Sequence, residues 1–506
     1  MASETKPYIL FHSLRCGSTF PLSILRLFKI PHELVVCDYD EIIEKKGPNY
    51  SRLVDANPLA QFPTLITPEG YVMTEMVAIA LYLLDHYGKG TPWDIHALDP
   101  RQLAAFYRWF VFIPANIYPT ITVIEFPARF VRVPVDSPVD SKTVESWITE
   151  GTFVKQGEIW NMMEYEMAKD LQDGKFLLGT EKPTFLDVLV ALVAHWPPNP
   201  RYTWLEDNCP KLVKNTKETL KTEINTGGHV HSPSRSRAKP ESPRKDTAHK
   251  QARSTEPRAH ARAISSMSAS DNTNPYTLFH APGVGSTFPL ALLRVFNVPH
   301  ELVVCDYEET TARKGPNYAR LVETNPLAQF PTLITPEGYV MTEMVGIALY
   351  LHDRFAKGTA WDIRGLSPAR QAAFYRWFIF IPANVYPLLT IIEFPSRFLT
   401  IPADSSVDTK QVEGWVKAGT STKREELWKM MEQEMTRELK EDTFLLGTGD
   451  PTLLDVLLSL VAHYTPHPRY SWFQENCPKL YKNVKETLKT DIIKDVFRVN
   501  ELDDFL

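Results

Sequence analysis

Cysteine is scarce in this sequence, with five residues in 506, and their spacing fits neither a disulfide framework nor a zinc site. The opening residues, MASETKPYILFHS, lack the basic and apolar regions of a secretory signal. Apolar runs such as FVFIPANIYPTITVI are short and interrupted by proline, so we expect no membrane span. These absences predict a cytoplasmic protein without a bound metal.

Excess positive charge is also missing, because the net charge is −6. A chain with this balance has no bulk attraction to nucleic acid or to anionic lipid. Its hydrophobic content of 43% and charged content of 23% are those of an ordinary globular protein. We therefore expect neither a nucleic-acid partner nor a membrane partner.

The sequence repeats itself. The segment NPLAQFPTLITPEGYVMTEM occupies residues 57–76 and returns unchanged at 325–344. Adding 268 to a position in the first copy gives its equivalent in the second, and this register holds without a gap from about residue 7 to about residue 223. A unit of roughly 220 residues is long enough to bury its own core, so the chain is predicted to carry a duplicated multi-element unit.

The segment between the copies has a different composition. Residues 226–262 contain no Leu, Ile, Phe, Tyr or Trp, and they hold nine Lys/Arg against three Asp/Glu. Such a segment cannot bury enough apolar surface to offset the entropy of ordering, which predicts a disordered basic linker. Both copies start with a short polar stretch, at Met1 and at Met267. One hypothesis is that two tandem genes are joined in one reading frame; a single long transcript would contradict it.

Each copy has alternating strand and helix signals first and helix signals only afterwards. The order predicted for the first part is βαβαββα. Its principal elements are strands at 8–13, 33–39, 62–68 and 71–74 and helices at 19–28 and 75–88. A T-x-x-D box, Thr184 to Asp187, precedes a later apolar run and is typical of a helix N-terminus.

This order resembles the cytosolic glutathione transferase superfamily. The residues that carry the resemblance are Gln61-Phe62-Pro63 before the third strand, Thr74-Glu75 before the third helix, and the T-x-x-D box. It implies an α/β thioredoxin-like N-terminal domain plus an all-α helical C-terminal domain, with the pair duplicated. The domains expected are 6–90 and 96–225, a linker at 226–272, then 274–358 and 364–506.

The resemblance also implies a glutathione site, with glutathione as co-substrate and no bound cofactor. Pro63 would be cis and would turn the Phe62 main chain toward the cysteinyl part of glutathione. The start of the third helix would bind the γ-glutamyl carboxylate, as helix N-termini bind anions. The residues implied are Gln61, Phe62, Pro63, Glu75 and Met76 in the first copy, and Gln329, Phe330, Pro331, Glu343 and Met344 in the second.

Met76 departs from the family pattern, which has serine or threonine at this position. Methionine offers no hydrogen-bond donor. The loss of one charge-assisted hydrogen bond corresponds to about 1.5–3 kcal/mol, or roughly a ten- to hundredfold weaker affinity. Met76 is thus expected either to weaken thiol binding or simply to pack.

The catalytic position is irregular as well. The family activates the thiol with Tyr, Ser or Cys near the end of the first strand, which makes Cys16, Ser18 and Ser286 the catalytic candidates. Cys16 has no counterpart, since the second copy has Val284 there. Ser18 could instead cap the helix, and the histidine at the tyrosine-class position, His12, is expected to pack.

Aromatic residues of the helical part are candidates for an apolar substrate pocket, although aromatics at helical spacing are more often core. They are Tyr107 and Tyr118, with Tyr375 and Tyr386 in the second copy.

Two functions remain open. The first is an enzyme that conjugates or exchanges the glutathione thiol with a hydrophobic electrophile or a disulfide. The second is a non-catalytic protein of the same fold, used for interaction, regulation or ligand binding. In either case the two copies are expected to pair with each other or to form a homodimer between chains.

Overall fold

The computed structural model describes residues 6–14, 16–171, 175–198, 201–222, 274–437 and 444–505. It contains a first half, 6–222, and a second half, 274–505, whose elements follow one another in the same order. The linker predicted at 226–272 lies outside the described residues.

Each half starts with a four-stranded sheet. In the first half the strand order is β2–β1–β3–β4, with β2 parallel to β1, while β3 is antiparallel to both β1 and β4. This topology confirms the thioredoxin-like domain. The elements are β1 Tyr8–His12, α1 Thr19–Leu27, β2 His32–Val36, α2 Tyr39–Glu44, α3 Pro48–Ala56, β3 Thr64–Ile66, β4 Val72–Thr74 and α4 Met76–Tyr87.

Helices make up the rest of the first half, as predicted. A π-helical turn, Ile113–Ile117, joins α5 to α6 and lets the chain continue through Pro114 without a break. The helices are α5 Pro100–Phe112, α6 Tyr118–Glu125, α7 Ser141–Glu166, α8 Phe185–Val193, α9 Arg201–Asn208 and α10 Pro210–Thr219.

The second half repeats this architecture with sheet order β6–β5–β7–β8. Its first domain has β5 Tyr276–His280, α11 Thr287–Val295, β6 His300–Val304, α12 Tyr307–Ala312, α13 Pro316–Thr324, β7 Thr332–Ile334, β8 Val340–Met341 and α14 Met344–Phe355. Its helical domain has α15 Pro368–Phe380, a π turn Ile381–Val385, α16 Tyr386–Glu393, α17 Thr409–Met435, α18 Leu453–Ala462, α19 Arg469–Asn476, α20 Pro478–Thr487 and α21 Asp491–Val499.

Two local features differ from the sequence analysis. The second strand ends at Val36 because Asp38 accepts a hydrogen bond from the Glu41 N–H at 2.9 Å and starts helix α2. The apolar run in the second half is not broken at its proline, so the helix Pro368–Glu393 has the length and composition of a membrane span. Within its apolar 18-residue window, 61% is nevertheless buried inside the fold.

The T-x-x-D box forms as predicted and does more than cap a helix. Asp187 is fully buried and accepts hydrogen bonds from the Thr184 N–H (2.7 Å), the Leu177 N–H (2.9 Å) and the Asn215 side chain (2.9 Å). Asp455 repeats these bonds in the second half. The carboxylate therefore ties the start of α8 to a neighbouring loop and to α10.

The two halves pack against each other through equivalent surfaces. Helix α5 lies on α14, and α15 lies on α4. At the far end of the helical domains, the Arg132 N–H donates to Trp415 O and the Thr400 N–H donates to Trp147 O, both at 3.0 Å. These reciprocal contacts give the pairing of the halves an approximate two-fold symmetry.

A polar cluster lies where the symmetry axis passes between the halves. His96 bridges Asp85 and Asp353, with 2.9 Å to each carboxylate. Tyr107 donates to Asp353 at 2.9 Å, and Tyr375 donates to Asp85. Although burial alone would lower it, the two aspartates raise the pKa of His96 to about 10. The histidine is therefore a cation that holds two like charges together.

Glycine permits the closest approach of the halves. A Cβ added to Gly419 on α17 would lie 2.4 Å from the Val131 main-chain nitrogen, and one added to Gly151 on α7 would lie 2.4 Å from that of Leu399. Main chain cannot move aside as a flexible side chain can. Only glycine fits at these crossings without displacing the opposite half.

We predict that Gly419→Ala destabilises the protein by about 1–3 kcal/mol, since it forces a backbone shift at a packed contact. Gly414→Ala on the same helix is the matched control, because a Cβ there meets nothing within 4 Å. That control is expected to be neutral or to stabilise by up to about 1 kcal/mol, as alanine favours helix over glycine. Thermal and urea unfolding of the full chain measures both, and equal stability of the two variants would contradict the prediction.

Candidate functional site

A short ledge precedes the third strand of each half. The Phe62–Pro63 and Phe330–Pro331 peptide bonds are both cis. The loop is fixed by Asn57, whose side chain donates to Thr64 Oγ1 at 2.9 Å, while this hydroxyl donates to Gln61 O at 2.8 Å. Phe62 is partly exposed, and its main-chain N–H and C=O make no hydrogen bond within the described part of the chain. The ledge thus offers an unused donor and acceptor side by side.

A helix N-terminus adjoins the ledge. Glu75 has φ +65°, an unusual value for a residue with a side chain, and α4 begins with the next residue. Burial, opposed by Asn384 and Arg376 of the other half, raises the pKa of Glu75 to about 7. The equivalent Glu343 has a pKa of about 7 for the same reason. Each half therefore carries a carboxyl that titrates near neutral pH at the start of this helix.

Arginines cross between the halves at this point. Arg376 donates from Nη1 to Val72 O at 3.0 Å, on the strand that leads to Glu75. Arg108 makes the reciprocal bond to Val340 O at 2.9 Å. Each guanidinium is about 95% buried and stacks on the following tryptophan, with 4.4–4.5 Å to the ring centroid. Each ledge is thus flanked by a residue from the opposite half.

The asparagines beside Glu75 and Glu343 come from the π turns. Asn384 faces Glu75, and Asn116 faces Glu343. Two residues after each asparagine stands a tyrosine that faces its own half, Tyr118 toward Gly17 and Tyr386 toward Gly285. Each π turn therefore contributes to both sites, with an asparagine beside the site of the opposite half and a tyrosine beside the site of its own half.

Met76 is packed into the domain core with 4% of its surface exposed, and Met344 with 6%. The sulfur of Met76 lies 3.4 Å from where a Cβ on Gly17 would stand. The side chain at the family's hydroxyl position therefore fills space beside the first turn of α1. The first N–H groups of α4 remain the polar groups available there.

Ser18 and Ser286 are fully buried and bond to the end of the first strand. The Ser18 hydroxyl is 2.9 Å from His12 Nδ1, accepts from the Ser13 N–H at 3.2 Å and donates to Ser13 O at 3.3 Å. It makes no cap bond to α1. Ser286 repeats the arrangement, with His280 Nδ1 at 2.8 Å. These hydroxyls close the turn between strand and helix and are not presented to solvent.

Cys16 lies in this turn of the first half and is partly exposed. Burial raises the pKa of its thiol, and a hydrogen bond with Ser13 lowers that pKa by a smaller amount. It stands next to Gly17, which Tyr118 approaches from the helical domain. Val284 occupies the same position in the second half.

The four tyrosines predicted to line a pocket separate into two pairs. Tyr118 and Tyr386 reach the turn before the first helix of their own half. Tyr107 and Tyr375 are 4% and 5% exposed and are bonded into the interface between the halves. Arg108 and Arg376 were not predicted from the sequence, although a lone arginine within the apolar run FYRWF was a visible signal.

A cavity of about 90 Å³ lies between the β3–β4 turn and the second half, at the end of the hairpin away from the ledge. Tyr71 and Val72 line one side, and Arg376, Trp377 and Glu434 line the other. This cavity is therefore formed by both halves.

Comparison with known proteins gives one curated relative. No family model matches the sequence. YncG of Escherichia coli (strain K12), described as an uncharacterized GST-like protein, is 30% identical over 197 residues, which are 39% of this chain and 84% of that protein.

Solved structures are also similar to the chain. One is a glutathione transferase homologue from Sulfitobacter with bound glutathione, with 16% identity, a TM-score of 0.36 and coverage of 44% of this chain and 98% of that one. Another is glutathione transferase URE2P8 from Phanerochaete chrysosporium with oxidized glutathione, with 16% identity, a TM-score of 0.32 and coverage of 45% and 95%. Each match covers less than half of this chain. That share corresponds to about one of the two copies.

Glu75 generates a prediction about pH. Its pKa in the fold lies above the ordinary glutamate value of 4.5, so the fold favours the neutral form and loses stability as pH rises from about 4.5 through 7. Glu75→Gln stays neutral and should melt a few degrees above the wild type at pH 8, with a smaller difference at pH 5. Glu69→Gln, at the exposed turn of the same hairpin, is the control. A Glu75→Gln effect that is independent of pH would contradict the prediction.

Proposed function

Because the chain belongs to the glutathione S-transferase superfamily, we propose that the ledge of each half binds glutathione and that the first half transfers the bound thiol to a small electrophile. The observation that supports this most directly is the cis Phe–Pro ledge beside a helix N-terminus. It occurs in both halves with the main chain of Phe62 and Phe330 unpaired within the described residues.

Each part of the tripeptide has a complementary group on the ledge. The Phe62 N–H and C=O would pair with the cysteinyl main chain in the manner of an added strand. Exposed Gln61 would contact the glycyl end. The first N–H groups of α4 would hold the γ-glutamyl carboxylate. Glu75, held by the opposite half, would face the adjoining γ-glutamyl ammonium. The second half would use Gln329, Phe330 and Glu343 in the same way.

Conjugation fits the first half better than disulfide exchange. Exchange needs Cys16 as a thiolate nucleophile, but burial raises the pKa of this thiol and keeps it protonated. Conjugation needs only a stabilised thiolate of glutathione near the helical domain, where a hydrophobic substrate could be received. The substrate class proposed is therefore a small apolar electrophile.

A non-catalytic role is the second candidate, and two observations favour it. Met76 and Met344 pack where a ligand-binding hydroxyl is usual in the family, and the buried Ser18 and Ser286 are committed to their own turns. A protein of this kind would keep the paired fold as a binding or regulatory scaffold. Measurable glutathione affinity without turnover of any electrophile would select this candidate.

We also propose a cytoplasmic location, where thiols remain reduced. All five cysteines fall within the described residues and all are free, as expected of a protein that works in a reducing compartment.

The proposed site predicts that Met76→Ser strengthens glutathione binding. A serine hydroxyl at the start of α4 would donate a charge-assisted hydrogen bond, equivalent to about 1.5–3 kcal/mol or roughly a ten- to hundredfold tighter affinity. Isothermal titration calorimetry of the full chain measures this change.

Met76→Ala is the matched control, because it opens the same space without supplying a hydroxyl. Both substitutions remove a buried side chain, so similar losses of stability are expected from them. Equal affinities of the serine and alanine variants would remove Met76 from the site. Absence of millimolar binding in the wild type and in both variants would overturn the proposed function.

A further inference from the structure

Tyr118 has a hydroxyl without a partner. The oxygen is buried and makes no hydrogen bond to any described residue, whereas buried polar atoms in folded proteins are nearly always paired. The ring is held by Trp196, with an edge-to-face contact and 6.0 Å between the centroids. A rigidly held donor with nothing to bond indicates a site for a ligand atom.

The hydroxyl lies at the first turn of α1. A Cβ added to Gly17 would stand 2.7 Å from Tyr118 Oη, so the hydroxyl packs against the main chain of this turn and only glycine fits there. Cys16 and Glu75 are its nearest electrostatic neighbours, which places the phenol between the turn and the start of α4. Burial raises the pKa of Tyr118 further above its ordinary value, so the group keeps its proton and has an O–H to donate.

We propose that Tyr118 donates a hydrogen bond to the sulfur of glutathione and stabilises its thiolate, a role that rests on the glutathione binding proposed above. The resemblance had placed this role on a side chain near the first strand, but Ser18 is occupied by His12 and Ser13. In the first half the donor comes from the helical domain instead.

The thiol S–H bond breaks and its proton passes to bulk water, while the Tyr118 O–H stays intact and donates to the sulfur lone pair. The thiolate then forms an S–C bond with the electrophile, and the leaving group departs with the electron pair of the bond that breaks.

The second half differs at this point. The Tyr386 hydroxyl is likewise buried without a hydrogen-bond partner among the described residues, so the difference lies in its surroundings. Tyr386 has Tyr464 beside it, with 5.9 Å between ring centroids, where the first half has Trp196. The Tyr464 hydroxyl donates to Gly283 O at 2.8 Å and closes the turn before α11. The chain end also reaches this turn, since Asn500 O lies 3.7 Å from where a Cβ on Gly283 would be. We therefore assign thiol activation to the first half alone.

The test is Tyr118→Phe in the full chain, with Tyr386→Phe as the matched control. The readouts are the ultraviolet absorbance of enzyme-bound thiolate as a function of pH, and the calorimetric affinity for glutathione at a pH where the thiol is protonated. We expect Tyr118→Phe to raise the pKa of the bound thiol by about one unit or more, a tenfold or larger loss of thiolate stabilisation. Its affinity should stay within a few-fold of the wild type, and Tyr386→Phe should leave the thiol pKa unchanged.

Two glycine variants provide a second route to the same answer. Gly17→Ala would displace the hydroxyl of Tyr118, whereas the matched Gly285→Ala meets Tyr386 Oη only at 3.3 Å. The first should reproduce the change in thiol pKa, and the second should not.

The outcomes separate the two proposals. No glutathione binding by the wild type would overturn the proposed function. Binding with the same thiol pKa in wild type and Tyr118→Phe, or an equal shift in Tyr386→Phe, would leave glutathione binding standing and overturn the role of Tyr118.

Discussion

A buried arginine that crosses from one half to the other is the contact on which the rest of the structure depends. Arg376 lies on helix α15 of the second half, yet its guanidinium completes the edge strand of the first half's sheet at Val72. Arg108 returns the same bond to Val340. A charge buried in this way is tolerated only while its partners are present, because an unpaired guanidinium in the interior is strongly destabilising.

The crossing explains why the candidate sites belong to the pair of halves and not to either alone. Val72 and Val340 lie three residues before Glu75 and Glu343, so the arginines fix the strands from which each ledge carboxyl projects. The asparagines of the π turns contact those carboxyls from the same opposite half as the arginines. Separating the halves would expose both carboxyls to water and return their pKa values toward the ordinary range.

Local order was readable from the sequence where it depends on neighbours in the chain. The repeat, the T-x-x-D boxes and most strands and helices follow from spacing, capping and turn residues. Asp38 shows the limit of that reasoning, because an apolar run alone does not reveal that an aspartate will end the strand and start a helix. The π turn at Pro114 was missed because proline predicts a break, and only the surrounding packing decides otherwise.

The chemistry of the site was less readable, since it depends on residues that are far apart in the sequence. The resemblance identified the ledge, and both Phe–Pro bonds are cis as it implied. It could not show that the Ser18 hydroxyl would already be hydrogen-bonded to His12. Nor could it show that Tyr118 would contact a turn about a hundred residues earlier in the chain. Tyr107 and Tyr118 look equivalent as aromatics on one helical run, but one faces the opposite half and the other its own.

The polar cluster on the two-fold axis shows what a covalent pair permits. Position 96 holds histidine, while its equivalent, 364, holds arginine. His96 bonds to both Asp85 and Asp353. Arg364 pairs mainly with Asp362, at 2.6 Å, and lies 3.6 Å from Asp353. Two identical subunits would have to place the same side chain at both positions. Two copies in one chain are free of that restriction, so histidine can stand at position 96 while arginine stands at position 364. One half can then specialise while the other keeps its place in the pair.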